Sequence, residues 1–239
     1  MIEVKGVYKK FDDCKALNGL DLNVADGSIY GLTGVNGSGK TTIIKLLTGV
    51  YRPDKGTLKI DGQDVYDNIA VKERCAYIPD DLYFFASYSL KGMADYYRGM
   101  YPSWDQARFE SMVKDFDLAP KTKLSKFSKG MQKQAAFILA MSCCPEYLIL
   151  DEPIDGLDPL VRRKVWNYVV ADVAERGMTV LVSSHNLDEL EGICDSIGII
   201  SKGVMTYEGD LDALREEMKP MSLKEIFWAK MGGEENEEQ

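Results

Sequence analysis

Apolar positions alternate with polar ones at the start of the chain, at Ile2 and Val4 and again at Leu20, Leu22 and Val24. A period of two predicts half-buried strands. Asp26-Gly27 follows and reads as a hairpin turn. The opening is therefore expected to be an antiparallel β edge leading into the apolar run 29–33, a buried strand. Residues 42–47 read as a helix with Gly49 as its stop. Residues 57–60 predict a strand turned back at Asp61-Gly62, and 75–78 another, ending at Pro79-Asp80-Asp81. The period then changes. Leu90, Met93, Ala94 and Tyr97 follow helical spacing with Ser89 as cap, and Pro102 ends that helix. Phe109, Met112, Val113 and Phe116 mark the next. Residues from about 84 to 145 thus predict a helical subdomain inserted into an α/β core. Tyr83-Phe84-Phe85 stands at its entrance. Three adjacent aromatics cannot all point inward, so either a partner surface or a loop tucked into the core is expected.

A helix capped by Ser128 runs to about Ser142, with residues 135–140 apolar on nearly every face. The unbroken apolar run 147–150 predicts a buried parallel strand. Asp158-Pro159 opens a helix with a stripe of Val161, Val165, Tyr168, Val169 and Val173, ended by Gly177. Strands follow at 179–182, 197–200 and, after the Lys202-Gly203 turn, 204–207. Ser222-x-x-Glu225 is a capping box. The last helix then carries Leu223, Ile226, Phe227 and Met231 on one face, which is expected to pack on the domain. Residues 232–239 are acidic and are expected to be disordered.

The chain has 239 residues, 45% of them hydrophobic, which is enough for a sizeable core. Its formal net charge of −9 argues against a nucleic-acid partner held through phosphate contacts. No apolar run approaches the roughly 20 residues of a membrane span. The start has no basic stretch followed by an apolar one, so no signal peptide is read and a cytosolic protein is expected. The five cysteines lack metal-ligand spacing and read as reduced thiols, mainly buried filler.

Against this background one motif stands out. Residues 34–41, Gly34-Val35-Asn36-Gly37-Ser38-Gly39-Lys40-Thr41, fit G-x-x-x-x-G-K-[ST] between a predicted strand and a predicted helix beginning at Thr42. A random chain of this length holds that pattern on the order of once in a hundred. Glycines 34, 37 and 39 are expected to adopt angles that a side chain forbids. The turn aims backbone N–H groups at phosphate oxygens at the positive end of the helix. Lys40 suits the β- and γ-phosphates of a nucleoside triphosphate. The Thr41 hydroxyl suits Mg²⁺, which prefers hard oxygen ligands.

The strand at 147–150 ends in Asp151-Glu152-Pro153, and ligands bind at the carboxyl ends of strands in parallel sheets. Asp151 suits Mg²⁺ and Glu152 suits a general base toward an attacking water. His185, the one histidine, ends another strand. It can bond a γ-phosphate or the water. Ser128, with the free N–H groups behind it, is a second phosphate site only weakly indicated. Phe11 can stack on adenine or lie in the core, and the residue alone favours the core.

Taken together these motifs resemble the ATP-binding subunit of an ABC (ATP-binding cassette) transporter, over the chain to about residue 215. Residues 34–41 look like the Walker A loop, 127–131 like the signature sequence, and 148–152 like Walker B with its glutamate. Leu157-Asp158 resembles the D-loop and His185 the switch histidine. The resemblance implies a P-loop NTPase with a RecA-like core, an N-terminal antiparallel β subdomain and an inserted helical subdomain. Residues 216–239 would be a C-terminal helix and acidic tail. It places Phe11 on adenine and residues 34–42 around the phosphates, with Asp80 a ligand of Mg²⁺ beside the γ-phosphate. Ser128 and Gly130 would face the ATP of a partner cassette, in a homodimer or heterodimer of ATP-binding subunits. It also implies separate transmembrane permease subunits, an attachment to the inner face of the cell membrane and, from the motif variants and the C-terminal stretch, an exporter. A soluble ATPase of translation or DNA repair and a nucleotide-gated sensor dimer are the competing classes. Asp80 stands where the family has glutamine, and Lys129 replaces the first signature glycine.

Overall fold

The computed structural model describes residues 1–85, 87–217, 219 and 221–230. β1 (Ile2–Phe11) and β2 (Cys14–Val24) pair antiparallel, from Ile2 opposite Val24 to Phe11 opposite Cys14. The chain then leaves that sheet. β3 (Ile29–Thr33) does not return along β2 as a hairpin; it joins a second sheet, parallel to its neighbours. The Asp26-Gly27 turn therefore redirects the chain between sheets. The reason lies in β3 itself, whose five residues are all buried and so need cover on both faces.

α1 (Lys40–Leu47) follows the glycine-rich loop and ends at Thr48, with Gly49 at φ 68°. β4 (Lys55–Ile60) and β5 (Gln63–Asp64) complete a sheet of order β2-β1-β4-β5. The short α2 (Ile69–Lys72), capped by Asn68, precedes β6 (Cys75–Ile78). α3 (Leu90–Met100), α4 (Gln106–Asp115) and α5 (Lys129–Ser142) lie between β6 and β7 (Tyr147–Asp151) in sequence. Ser89, Asp105 and Ser128 each accept a backbone N–H as N-caps. α6 (Pro159–Arg176) is capped by Asp158 and closed by Gly177 at φ 65°. β8 (Thr179–Ser183), α7 (Leu187–Ile193), β9 (Ser196–Ser201), β10 (Val204–Asp210), α8 (Leu211–Glu217) and α9 (Leu223–Lys230) finish the described chain. The second sheet has the order β10-β9-β3-β8-β7-β6, parallel except for β10.

The strand period decides which layer each residue joins. Tyr147 and Ile149 of β7 pack with Ile43, Ile44, Leu46 and Leu47 of α1 and with Ile2, Val4 and Leu22 of the antiparallel sheet. Leu148 and Leu150 face the other way, into a core with Phe137, Ile138 and Leu139 of α5 and Val165 of α6. α1 is thus held between two sheets, which fixes the loop before it. Asp172, inside the stripe of α6, is also buried and is clamped by Arg108 at 2.7 Å and Arg176 at 2.8 Å. That pair ties α4 to α6.

Leu223, Ile226 and Phe227 of α9 are buried, so its apolar face packs on the chain itself. Met231 and the acidic stretch 232–239 lie outside the described residues. The aromatic triplet divides. Phe84 packs on the core, while Tyr83 and Phe85 stay exposed. Only one cysteine, Cys143, is buried; Cys14 is exposed and all five are free.

Candidate active site

β3 ends at Thr33 and the loop begins at once. Ser38 donates its N–H to the Val35 carbonyl at 3.1 Å, and its own carbonyl accepts from Gly203 at 2.8 Å. The β9–β10 turn therefore anchors the loop from outside. Gly37 and Gly39 have φ of 77° and 117°, as the pattern predicts. Gly34 is different. Its φ is not in the left-handed region, but a Cβ there would sit 2.3 Å from the Ile200 carbonyl oxygen. Space, not angle, requires that glycine. Gly34→Ala is expected to cost about 1–3 kcal/mol as overpacking against backbone. Thermal denaturation checks this; an unchanged midpoint would show that the loop relaxes freely.

Lys40 is 7% exposed. Its ammonium donates to the Gly34 carbonyl at 2.7 Å. Burial lowers its pKa, against the raising pull of Glu152 and Asp151. The buried hydroxyls of Thr33 and Ser38 have no hydrogen-bond partner. Buried polar groups are normally paired, so these two mark the loop as built for a polar guest. Asn36 and Val35 are exposed on its rim, and Thr42 is half-buried behind Thr41.

Asp151 ends β7 and is buried. Its Oδ1 lies 3.4 Å from Thr41 Oγ1 and accepts from Ser183 Oγ at 2.6 Å. Two hard oxygens from different elements thus converge beside Lys40. Among the described residues no group of three histidine, cysteine or acidic side chains could enclose a metal. The pair suits Mg²⁺, which takes one or two protein ligands and keeps waters and phosphate oxygens for the rest.

Glu152 follows with φ 47°, rare for a residue other than glycine. Its Oε2 lies 2.9 Å from His185 Nδ1. An ionised carboxylate only accepts, so Nδ1 carries the proton there. Burial raises the pKa of Glu152, and the charges of His185 and Lys40 pull it partway back. A carboxyl with a raised pKa suits a role in proton transfer.

Lys40, Thr41, Asp151, Glu152 and His185 are brought together. Asp80 is linked to them indirectly, because its Oδ1 pairs with Lys133 Nζ at 3.2 Å and Lys133 also donates to the Glu152 carbonyl at 3.0 Å. Lys133 escaped sequence reasoning; its partner Asp80 is 53 positions away, and no spacing rule joins them. Ser128 caps its own helix, accepting from the Met131 N–H at 3.2 Å, and stands exposed at the start of α5 with Lys129 beside it. Gly130 packs near the Gly156 carbonyl and Leu157. Phe11 is not core. It is 38% exposed at the end of β1, edge-on to Tyr51 at 5.1 Å.

The family model described as ABC transporter matches residues 17–155, more than half of the chain. The chain belongs to the ABC transporter family. This cassette is 34% identical over 217 residues to the ABC transporter ATP-binding protein YtrB of Bacillus subtilis, covering 91% of the chain and 74% of YtrB. It is 34% identical over 225 residues to the daunorubicin resistance ATP-binding protein DrrA3 of Streptomyces coeruleorubidus, covering 90% and 70%. A solved ATP-binding subunit of an ABC transporter superposes with a TM-score of 0.89 at 28% identity, covering 96% of the cassette and 99% of that chain. The P-loop NTPase fold expected from the motifs is therefore present, and the protein is an ATPase that serves transport. No helix among the described residues is long and apolar enough to cross a membrane.

Proposed function

We propose that this cassette is the Mg²⁺-dependent motor of an exporter, held at the inner face of the cell membrane by separate permease subunits. The convergence of Lys40, Thr41, Asp151, Glu152 and His185 at one sheet edge carries the reading. Lys40 and the N–H groups of residues 34–42 bind the triphosphate. Thr41 and Asp151 would hold Mg²⁺, which would supply positive charge against the phosphates. Glu152 takes the proton from the attacking water, and His185 orients Glu152 and meets the γ-phosphate. Phe11 stacks on adenine, its exposed ring supporting that role over the core. Ser128 and Gly130 complete the site of a second cassette, in a homodimer or with another ATP-binding subunit. The exposure of Ser128 and Lys129 at the start of α5 supports this, since a helix N-terminus facing solvent suits a phosphate from outside.

Export as the direction is supported by relatives named for it. Nod factor export ATP-binding protein I of Burkholderia lata is 33% identical over 233 residues, covering 95% of the chain and 76% of that protein. The permease docks on the region 84–145, the inserted helical subdomain, while the C-terminal helix α9 packs on the cassette through Leu223, Ile226 and Phe227. Tyr83, Phe85, Tyr88 and Tyr96 support that docking. They are exposed, the three tyrosine rings each contacting Phe85, and such apolar patches mark protein partners.

The test is a pull-down of tagged Glu152→Gln, loaded with ATP, from detergent-solubilised membranes of the source cell. A stoichiometric multi-span partner is expected, lost when Phe85 and Tyr96 are both changed to Ser. Recovery of ribosomes, DNA or the cassette alone would replace this reading with a soluble one.

A further inference from the structure

Glu152 is held in a conformation it would not choose. A non-glycine residue at φ 47° costs on the order of 1–3 kcal/mol and persists only where its surroundings over-determine it. Three contacts do so. The Glu152 N–H donates to the Ser183 carbonyl at 3.2 Å, and the carboxylate meets His185. Its carbonyl accepts from Lys133 Nζ at 3.0 Å. The first two come from β8 and the segment after it; the third comes from α5.

The Lys133 side chain is 12% exposed. A charge in that position needs a nearby anion. Asp80 supplies one at 3.2 Å and is itself 59% exposed. The two bonds of one ammonium therefore link the end of β6 to the main chain of the proposed base. They also account for the carboxylate at position 80, which would otherwise add negative charge to a cluster already containing Asp151 and Glu152.

We propose that Lys133 is a positioning residue for Glu152, and that Asp80 acts as its counter-ion and not as a ligand of Mg²⁺. The Lys133 ammonium bonds Asp80 and the Glu152 carbonyl, so Lys133 acts through Glu152. It fixes the carbonyl of Glu152, and through it the direction in which the carboxylate leaves the strand. This rests on Glu152 being the base of hydrolysis. A displacement of about 1 Å at a reacting group can cost on the order of 100-fold in rate.

The chain carries one histidine, so the ring-proton NMR resonance of His185 reports the Glu152 contact without interference. The nucleotide-free full chain is the sample, with Glu152→Gln as the reference for a broken contact. Lys133→Met is expected to move the resonance toward that reference and to lower kcat by roughly 10- to 100-fold, with KM for ATP within about threefold. Lys133→Arg should restore both. Asp80→Asn should lower kcat less, leave the Mg²⁺ concentration for half-maximal activity unchanged, and add nothing to Lys133→Met in the double variant. Lys133→Gln replaces Met should the latter not fold.

A His185 resonance unmoved by loss of Lys133 would overturn the proposal. So would a rise in the Mg²⁺ requirement of Asp80→Asn, which would return Asp80 to the metal. A resonance that moves as expected, in a protein whose kcat is untouched by Glu152→Gln, would keep the positioning and remove Glu152 as base.

Discussion

Glu152→Gln is expected to lower ATP turnover by roughly 10²–10⁴-fold while ATP binding persists. The substitution keeps the size and one oxygen of the side chain but removes its capacity to accept a proton. Binding is expected to survive because the proposed phosphate contacts lie elsewhere, at Lys40 and the loop before α1. The pH profile adds a second readout. Burial raises the pKa of Glu152, so its ionised form is lost at a higher pH than that of an ordinary carboxyl, near 4.3. Wild-type kcat should therefore fall on acidification before ordinary carboxylates titrate. The residual activity of Glu152→Gln should lack that limb. Single-turnover hydrolysis measured across the acidic range decides both points. Near-normal turnover in the variant would remove Glu152 from the role.

Lys40→Met should weaken ATP binding by about tenfold to 150-fold, the equivalent of about 1.5–3 kcal/mol for hydrogen bonds to a charged group. Little change is expected in the fold itself. The buried ammonium carries a desolvation cost, seen in its lowered pKa, and methionine fills a similar volume without it. That gain offsets the lost bond to the Gly34 carbonyl. The two effects separate in a thermal shift experiment. ATP should raise the melting temperature of the wild type by mass action and that of Lys40→Met by clearly less at the same concentration. An equal ATP-dependent shift in both proteins would exclude Lys40 from the phosphate site. A nucleotide-free variant much less stable than wild type would instead make Lys40 a structural residue.

The alternation at Ile2–Val4 and Leu20–Val24, the apolar run before Asp151 and the caps at Ser89, Ser128 and Asp158 were each legible because their causes are local. Strand period, helix period and capping act over a few residues, and the structure keeps every one of them. The phosphate loop was legible for the same reason, since strand, turn and helix are contiguous. What failed did so where the cause lay elsewhere in the chain. Asp26-Gly27 has the composition of a hairpin turn, but β3 is buried on both faces and is drawn between β8 and β9. Gly34 looks like its neighbours in the motif, yet its constraint is the Ile200 carbonyl arriving from β9. Phe11 looks like core until the β1–β2 end leaves it at the surface beside Tyr51.

By itself, then, the sequence determined the elements, the phosphate-binding loop and the identity of the acid pair and the histidine, because each is specified by neighbours in the chain. Only the tertiary structure decided how they meet. Glu152 faces His185 across 33 positions, Asp151 faces Thr41 across 110, and Lys133 joins Asp80 to the Glu152 carbonyl. Parallel strands with long crossovers bring such distant residues to one edge, and a side chain's partner there is chosen by packing, which no local pattern encodes.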